Sequence, residues 1–168
     1  MSQTVSLPLA EDHDPFALRL EADGQQLTRT TLQTLQLNVG KMCNLACHHC
    51  HVEAGPGRTE IMSKEVMQSI LDWIDRYRDQ MDLQTIDLTG GAPEMNPHFK
   101  MLVAQLRTRD LHVIDRCNLT ILLEKGYEDF ASFLAEHQVE IVASLPCYLE
   151  DNVDKQRGSG CIKNRLML

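Results

Sequence analysis

The chain has 168 residues, 43% of them hydrophobic and 24% charged, and carries a formal net charge of −8. That is enough length for one ordinary domain with a real core, and the acidic balance argues against nucleic acid as a main partner. No apolar run is long enough to span a bilayer, and the opening MSQTVSLP lacks the basic and apolar stretches of a secretion signal, so the expected location is cytoplasmic with no membrane contact.

Residues 1–34 read as an N-terminal extension. Positions 1–14 form a loose leader, and 16–34 a short extension or hairpin with Gly24 at a turn. The core is expected over 35–158. Leu35, Leu37 and Val39 alternate with Gln36 and Asn38, which predicts a strand ended by Gly40. A cysteine-rich loop follows, continued by Ala54-Gly55-Pro56-Gly57-Arg58. Ser63 is an expected N-cap with Glu65 in the first turn, and Val66, Met67, Ile70, Leu71 and Ile74 give that helix one apolar face. Thr85–Thr89 predicts a second strand running into Gly90-Gly91-Ala92-Pro93-Glu94. Asn96 is expected to cap the next helix with Pro97 at its first position, and Phe99, Leu102, Val103 and Leu106 supply the buried face. A third strand is expected over 112–115, trailing irregularly to 123. An amphipathic helix through Tyr127, Phe130, Ala131 and Leu134 comes next. A fourth strand over 139–144 is closed by Pro146, and 159–168 reads as an irregular tail. Strands alternating with helices in this order predict an α/β chain whose parallel strands are joined by crossover helices.

The chemistry concentrates in Cys43, Cys47 and Cys50, within Lys41-Met42-Cys43-Asn44-Leu45-Ala46-Cys47-His48-His49-Cys50-His51. With six Cys in the chain and no secretion signal, free thiols and a metal site are expected rather than disulfides. The C-x3-C-x2-C spacing differs from the paired knuckles of structural zinc sites. Three thiolates on a 4Fe–4S cube leave one iron open to an outside molecule. A Cys3His zinc site using His48, His49 or His51 is the alternative. The spacing resembles the hallmark of the radical S-adenosylmethionine (SAM) superfamily. That resemblance implies a partial (β/α)6 TIM-barrel-like core, a 4Fe–4S cluster with SAM on its open iron, and an electron donor such as flavodoxin or ferredoxin. It also implies reductive cleavage of SAM to a 5′-deoxyadenosyl radical.

In parallel barrels the chemistry sits at the C-terminal ends of the strands, and special residues recur there in this chain. Gly90-Gly91-Ala92-Pro93-Glu94 resembles the superfamily's GGE segment. The resemblance implies that Gly90 and Gly91 let the methionine ammonium approach the backbone and that Glu94 adds a charged acceptor; an ordinary Gly-Gly turn is the plain alternative. The resemblance also implies a polar pair after the third strand to hold the ribose, which Asp115 or Asn118 fits, a surface Asp and a turn Asn being the plain alternative; Ser144 matches a position used against the SAM carboxylate or ribose. The stretches LQLNVGKMCNLACHHCHVEAGPGRTEIM, LTGGAPEMNP, DRCNLTILLEKGYEDF, SLPCY and NVDKQRG resemble the arsenosugar-biosynthesis radical SAM family. This narrower resemblance implies transfer of the deoxyadenosyl group to a methylated trivalent arsenical. Cys117 and Cys147 would then be soft ligands for the arsenic; two small buried hydrophobes are the alternative. A peptide-modifying radical SAM maturase and a non-catalytic zinc-binding domain are the competing functional readings. Against a six-unit core the chain is expected to be an N-terminal portion of about four β/α units. An open sheet edge inviting self-association and weak independent turnover go with that expectation.

Overall fold

The computed structural model describes residues 15–26, 31–144 and 150–157. The chain divides after Thr30 into two compact units. The described part of the first is a helix, α1 (Pro15–Ala22). Proline suits its first turn, Arg19 pairs with Asp23 at 2.8 Å, and Gly24 ends it at φ +63°. Over Pro15–Ala22 the hairpin alternative is thereby corrected to a helix, whose mixed order of polar and apolar residues offered no stripe to read. The leader at 1–14, Cys147 and the tail at 159–168 lie outside the described residues.

In the second unit the described strands form one four-stranded sheet. Strands β1 (Thr34–Asn38), β2 (Thr85–Thr89), β3 (His112–Asp115) and β4 (Glu140–Ile141) lie in that order, each neighbouring pair parallel. Helices α2 (Lys64–Tyr77), α3 (Phe99–Arg107) and α4 (Phe130–Glu136) occupy the crossovers. This is the α/β parallel architecture that the alternating pattern predicts.

Ser63 caps α2 as expected, its hydroxyl accepting from the Val66 N–H at 3.4 Å. Met67, Leu71 and Ile74 are fully buried, whereas Val66, at the margin of the stripe, is 48% exposed. Phe99, Leu102, Val103 and Leu106 of α3 are buried as their spacing predicts. Asn96 is not the expected cap: α3 starts later, at Phe99, with His98 at its N-cap, so Pro97 precedes the helix, and Asn96 Oδ1 accepts from the His98 N–H at 2.9 Å. Its Nδ2 donates to the carbonyls of Val39 at 2.9 Å and Met62 at 3.0 Å, so the side chain ties the end of β1 to the entry of α2. The fourth strand is shorter than expected, with only Glu140 and Ile141 in register. Beyond them the N–H groups of Val142 and Ser144 still donate to the carbonyls of Asp115 and Cys117, each at 2.9 Å. A fifth helix, α5 (Glu150–Arg157), follows; its charged run holds Val153 as a buried apolar residue.

Register sorts the strand residues between two faces. Leu37, Leu88 and Asp115 stand side by side, as do Gln36, Asp87 and Ile114. Residues opposite one another in a sheet share a face, and successive residues alternate. Leu37 and Leu88 belong to the core that also holds Met67, Leu71, Phe99 and Leu102, so Asp115 shares the helix-covered face. The opposite face is polar. There Gln36 Nε2 donates to Asp87 at 2.9 Å, and Arg116 pairs with Asp87 at 2.7 Å. This parity decides which strand-end residues reach the site.

Candidate functional site

The C-terminal ends of β1, β2 and β3 open into a cavity of about 290 Å³, at the small end of the ~300–1,000 Å³ range of ligand sites. Cys43, Cys47 and Cys50 line it together with Gly90, Gly91, Arg116, Asn118 and Ser144. His49 and His51 also reach it. None of the three loop cysteines is in a disulfide.

The cysteine loop is shaped by its own backbone. Lys41 N–H donates to Glu60 O at 2.8 Å, Gly55 N–H to Lys41 O at 3.1 Å, and Met62 N–H to Val39 O at 2.9 Å, folding the loop back over the end of β1. Amides also reach the sulfurs: Leu45 N–H meets Cys43 Sγ at 3.4 Å and Ala54 N–H meets Cys50 Sγ at 3.3 Å. Such donors favour the charged, ligating form of sulfur. Burial pushes the Cys43 thiol up from its ordinary value, and the charges of Cys47 and Cys50 push the same way. Three thiolates around one cavity would repel one another, and a cation between them offsets that repulsion. From α5, the Gln156 carbonyl accepts from His48 N–H at 3.1 Å, a brace that no sequence pattern announced.

Gly90 and Gly91 line the cavity, but the need for glycine has another source. Gly90 sits at φ +141°, and a Cβ there would lie 2.5 Å from the Gly40 carbonyl oxygen. A Cβ on Gly91 would collide with the Met42 carbonyl oxygen and stand 2.8 Å from its carbon. Gly91 N–H donates to Gly40 O at 3.0 Å and Ala92 N–H to Met42 O at 2.8 Å. The glycine turn is therefore packed directly on the backbone of the cysteine loop. Close approach is required, as the sequence suggested, but the partner that demands it is the loop.

Asn118 lines the cavity with its polar atoms already engaged. Its Nδ2 donates to Asn44 Oδ1 at 2.8 Å and approaches Cys43 Sγ at 3.7 Å, while its Oδ1 accepts from Thr120 Oγ1 at 2.8 Å and Ile121 N–H at 3.1 Å. The expected ribose contact is thus a residue that fastens the β3 loop to the cysteine loop. Asn44 and Thr120, which share this network at 3.0 Å, were not singled out in the sequence.

Three expected site residues stand away from the cavity wall. Asp115, on the helix-covered face, is 0% exposed, as is Cys117, and Glu94 is 2% exposed. Cys117 packs with Cys43, Ala92 and Ile121 in a small buried cluster, and its sulfur accepts from Leu119 N–H at 3.2 Å. Burial, then the neighbouring Glu94, pushes the Cys117 thiol far up, so it is neutral rather than a thiolate. Burial likewise raises both carboxyl groups, Asp115 well above the usual range with Glu94 adding to the effect. Positions of the opposite parity, Arg116 and Asn118, reach the cavity instead. Arg116 was missed; its Nε and Nη2 are held by Asp87 at 2.7–3.0 Å. Its approach to the mouth could have been inferred from its alternation with Asp115. Ser144 is at the wall as expected.

The profile of the Radical SAM superfamily matches residues 37–163. The chain belongs to that superfamily. Among curated proteins it is 28% identical over 76 residues to a probable GTP 3′,8-cyclase of Saccharolobus islandicus (strain L.S.2.15 / Lassen #1), a match covering 45% of this chain and 23% of that one. The same stretch matches the protein of the same description from strain Y.G.57.14 / Yellowstone #1 at the same identity. The chain thus spans about a quarter of the length of those relatives. Among solved structures it resembles anSMEcpe with bound AdoMet, at TM-score 0.57 and 22% identity over 77% of this chain and 36% of that one. It also resembles Streptococcus suis SuiB bound to S-adenosylmethionine, at TM-score 0.61 and 14% identity over 93% of this chain and 36% of that one. At those identities the likeness is one of fold.

The cofactors of radical SAM enzymes are a 4Fe–4S cluster and SAM, and the residues present here fit them. The three cysteines of the C-x3-C-x2-C loop share one cavity, two of their sulfurs receive amide N–H groups, and Gly90 and Gly91 line the same cavity. Among the described residues no helix is long and apolar enough to cross a membrane.

Proposed function

We propose that this chain is the cluster-bearing part of a radical SAM enzyme whose substrate is a methylated trivalent arsenical. The observation that carries the radical SAM reading is the meeting of the C-x3-C-x2-C loop with the Gly90-Gly91 turn in one strand-end cavity. Cys43, Cys47 and Cys50 would hold three irons of the cluster, leaving the fourth for SAM. A cluster held by these three thiolates would supply the electron for reductive cleavage of SAM. The chain's own part is positional: Asn118 and the glycine turn fix the loop, and Gly90, Gly91, Arg116 and Ser144 stand around the space where SAM would lie. Arg116, anchored by Asp87, presents positive charge to a ligand carboxylate. A flavodoxin- or ferredoxin-like protein is the proposed electron donor.

The arsenical is supported by the sequence stretches that resemble the arsenosugar-biosynthesis family, with Cys147 the thiol still proposed for the mouth. Cys117, buried behind Cys43, would need the β3 loop to move before it met a substrate. The test is anaerobic reconstitution followed by incubation with SAM, dithionite and dimethylarsinous acid, with mass spectrometry for a deoxyadenosyl arsenical. GTP and a precursor peptide are run in parallel, since the relative is a probable GTP 3′,8-cyclase and SuiB has been solved with the precursor peptide SuiA. Deoxyadenosylated arsenic made only with the loop cysteines intact supports the proposal. SAM cleavage with product from GTP or peptide, and none from the arsenical, would overturn the substrate.

A further inference from the structure

Glu94, Asp115 and Cys117 leave a chemical question that the cofactor site does not answer. Each offers one ligand atom, and the three atoms lie within 4.8 Å of one another. Glu94 follows β2 in a short 3-10 turn, Asp115 ends β3, and Cys117 comes two residues later. No group outside this trio is hydrogen-bonded to any of the four carboxylate oxygens of Glu94 and Asp115. The nearest guanidinium in sequence, Arg116, is engaged with Asp87 on the other face of the sheet. Burying an unpartnered carboxylate is costly, and two side by side compound the cost by repulsion. Such a pair is stabilised either by protons or by a cation.

The donor set favours a particular cation. Hard ions such as Mg²⁺ and Ca²⁺ take oxygen ligands and leave a thiol unused. Zinc takes both sulfur and carboxylate oxygen, at about 2.3 and 2.0–2.2 Å, in tetrahedral sites. Those bond lengths set neighbouring ligand atoms roughly 3.5 Å apart, so small side-chain rotations close the present group around an ion. We propose that Glu94, Asp115 and Cys117 form a second, buried metal site for a borderline divalent cation of the zinc class. It is separate from the cysteine loop and takes water or a backbone oxygen as the fourth ligand. An ion there would staple the end of β2 to the end of β3, the segments that deliver the glycine turn and Asn118 to the cavity. It would also release protons from the three groups as it binds.

Cobalt is a suitable probe, because its spectrum reports thiolate ligation. The full chain carrying Cys43→Ser, Cys47→Ser and Cys50→Ser removes the competing loop thiols and is titrated anaerobically with Co²⁺. One equivalent should bind with a thiolate-to-cobalt charge-transfer band, and X-ray absorption should show one sulfur among oxygen neighbours. Adding Cys117→Ser should remove the band, and adding Glu94→Gln with Asp115→Asn should weaken binding at least about 100-fold. X-ray absorption on the loop variant needs no further substitution, so it decides the matter even where those variants fold poorly. Absence of cobalt binding, a cobalt sphere without sulfur, or undiminished binding in the added variants would overturn the site. A carboxylic-acid infrared band of Asp115 that persists at saturating cobalt would overturn it too, and would assign the pair to a shared proton.

Discussion

Replacing Gly91 with alanine separates two accounts of the glycine turn. The added Cβ would overlap the Met42 carbonyl oxygen, stand 2.8 Å from the Met42 carbonyl carbon and 3.0 Å from Ala54 Cβ. Carbon atoms pack comfortably at about 3.5–4.0 Å, so the chain beside Cys43 must retreat by roughly 0.7 Å or more. That retreat strains the Ala92-to-Met42 bond of 2.8 Å and the Gly91-to-Gly40 bond of 3.0 Å. Overpacking of this kind costs about 1–3 kcal/mol, and each of the two weakened backbone bonds about 1 kcal/mol, which makes a total of about 3–5 kcal/mol. If the glycines served SAM alone, the variant would keep its iron and lose only SAM affinity. Packing on the loop predicts instead that iron content after anaerobic reconstitution falls together with the urea midpoint. Gly57→Ala is the control, since a Cβ there meets nothing within 4 Å. A Gly91→Ala protein with full iron and unchanged stability would refute the reasoning.

The remaining expectations concern the supports around that loop. Asn118→Ala should lower stability by about 2–3 kcal/mol by urea denaturation, because Asn44 and the Ile121 N–H lose buried partners; it should also slow cluster reconstitution. Leu88→Ala, at a fully buried position in the sheet, should cost about 2–5 kcal/mol in the same assay. In metal-free protein, burial raises both Glu94 and Asp115. Stability that depends on their protons is fully present below the unfolded values near about pH 4 and is lost as pH rises toward the folded values. Urea midpoints measured upward from about pH 4 should therefore fall, and Glu94→Gln with Asp115→Asn should flatten the profile. Parallel profiles for the two proteins would contradict that assignment.

Much of this was legible from local pattern. Thr85–Thr89 reads as a strand and is one, Ser63 reads as a cap and accepts the expected bond, and the stripes of α2 and α3 are buried at their i, i+4 positions. The site was legible where it depends on spacing along one loop, as for the three cysteines. It failed where the face of a strand mattered. Asp115 and Cys117 were assigned to the mouth because they follow β3, yet their parity matches Leu37 and Leu88 and places them under the helices. Asn118 and Arg116, of the opposite parity, line the cavity. Glu94 turns inward through a 3-10 turn that no periodicity signals. α5 escaped notice because its highly charged run carries no apolar stripe, although its Gln156 carbonyl braces His48.

The central claim is that Cys43, Cys47 and Cys50 together hold the cluster, and iron and acid-labile sulfide analysis after anaerobic reconstitution tests it most directly. The account predicts about four irons and four sulfides per chain in a brown protein, with each single Cys→Ala change in the loop abolishing the intact cluster. Iron-free protein from the unmutated chain, or full iron retained by all three single variants, would contradict it.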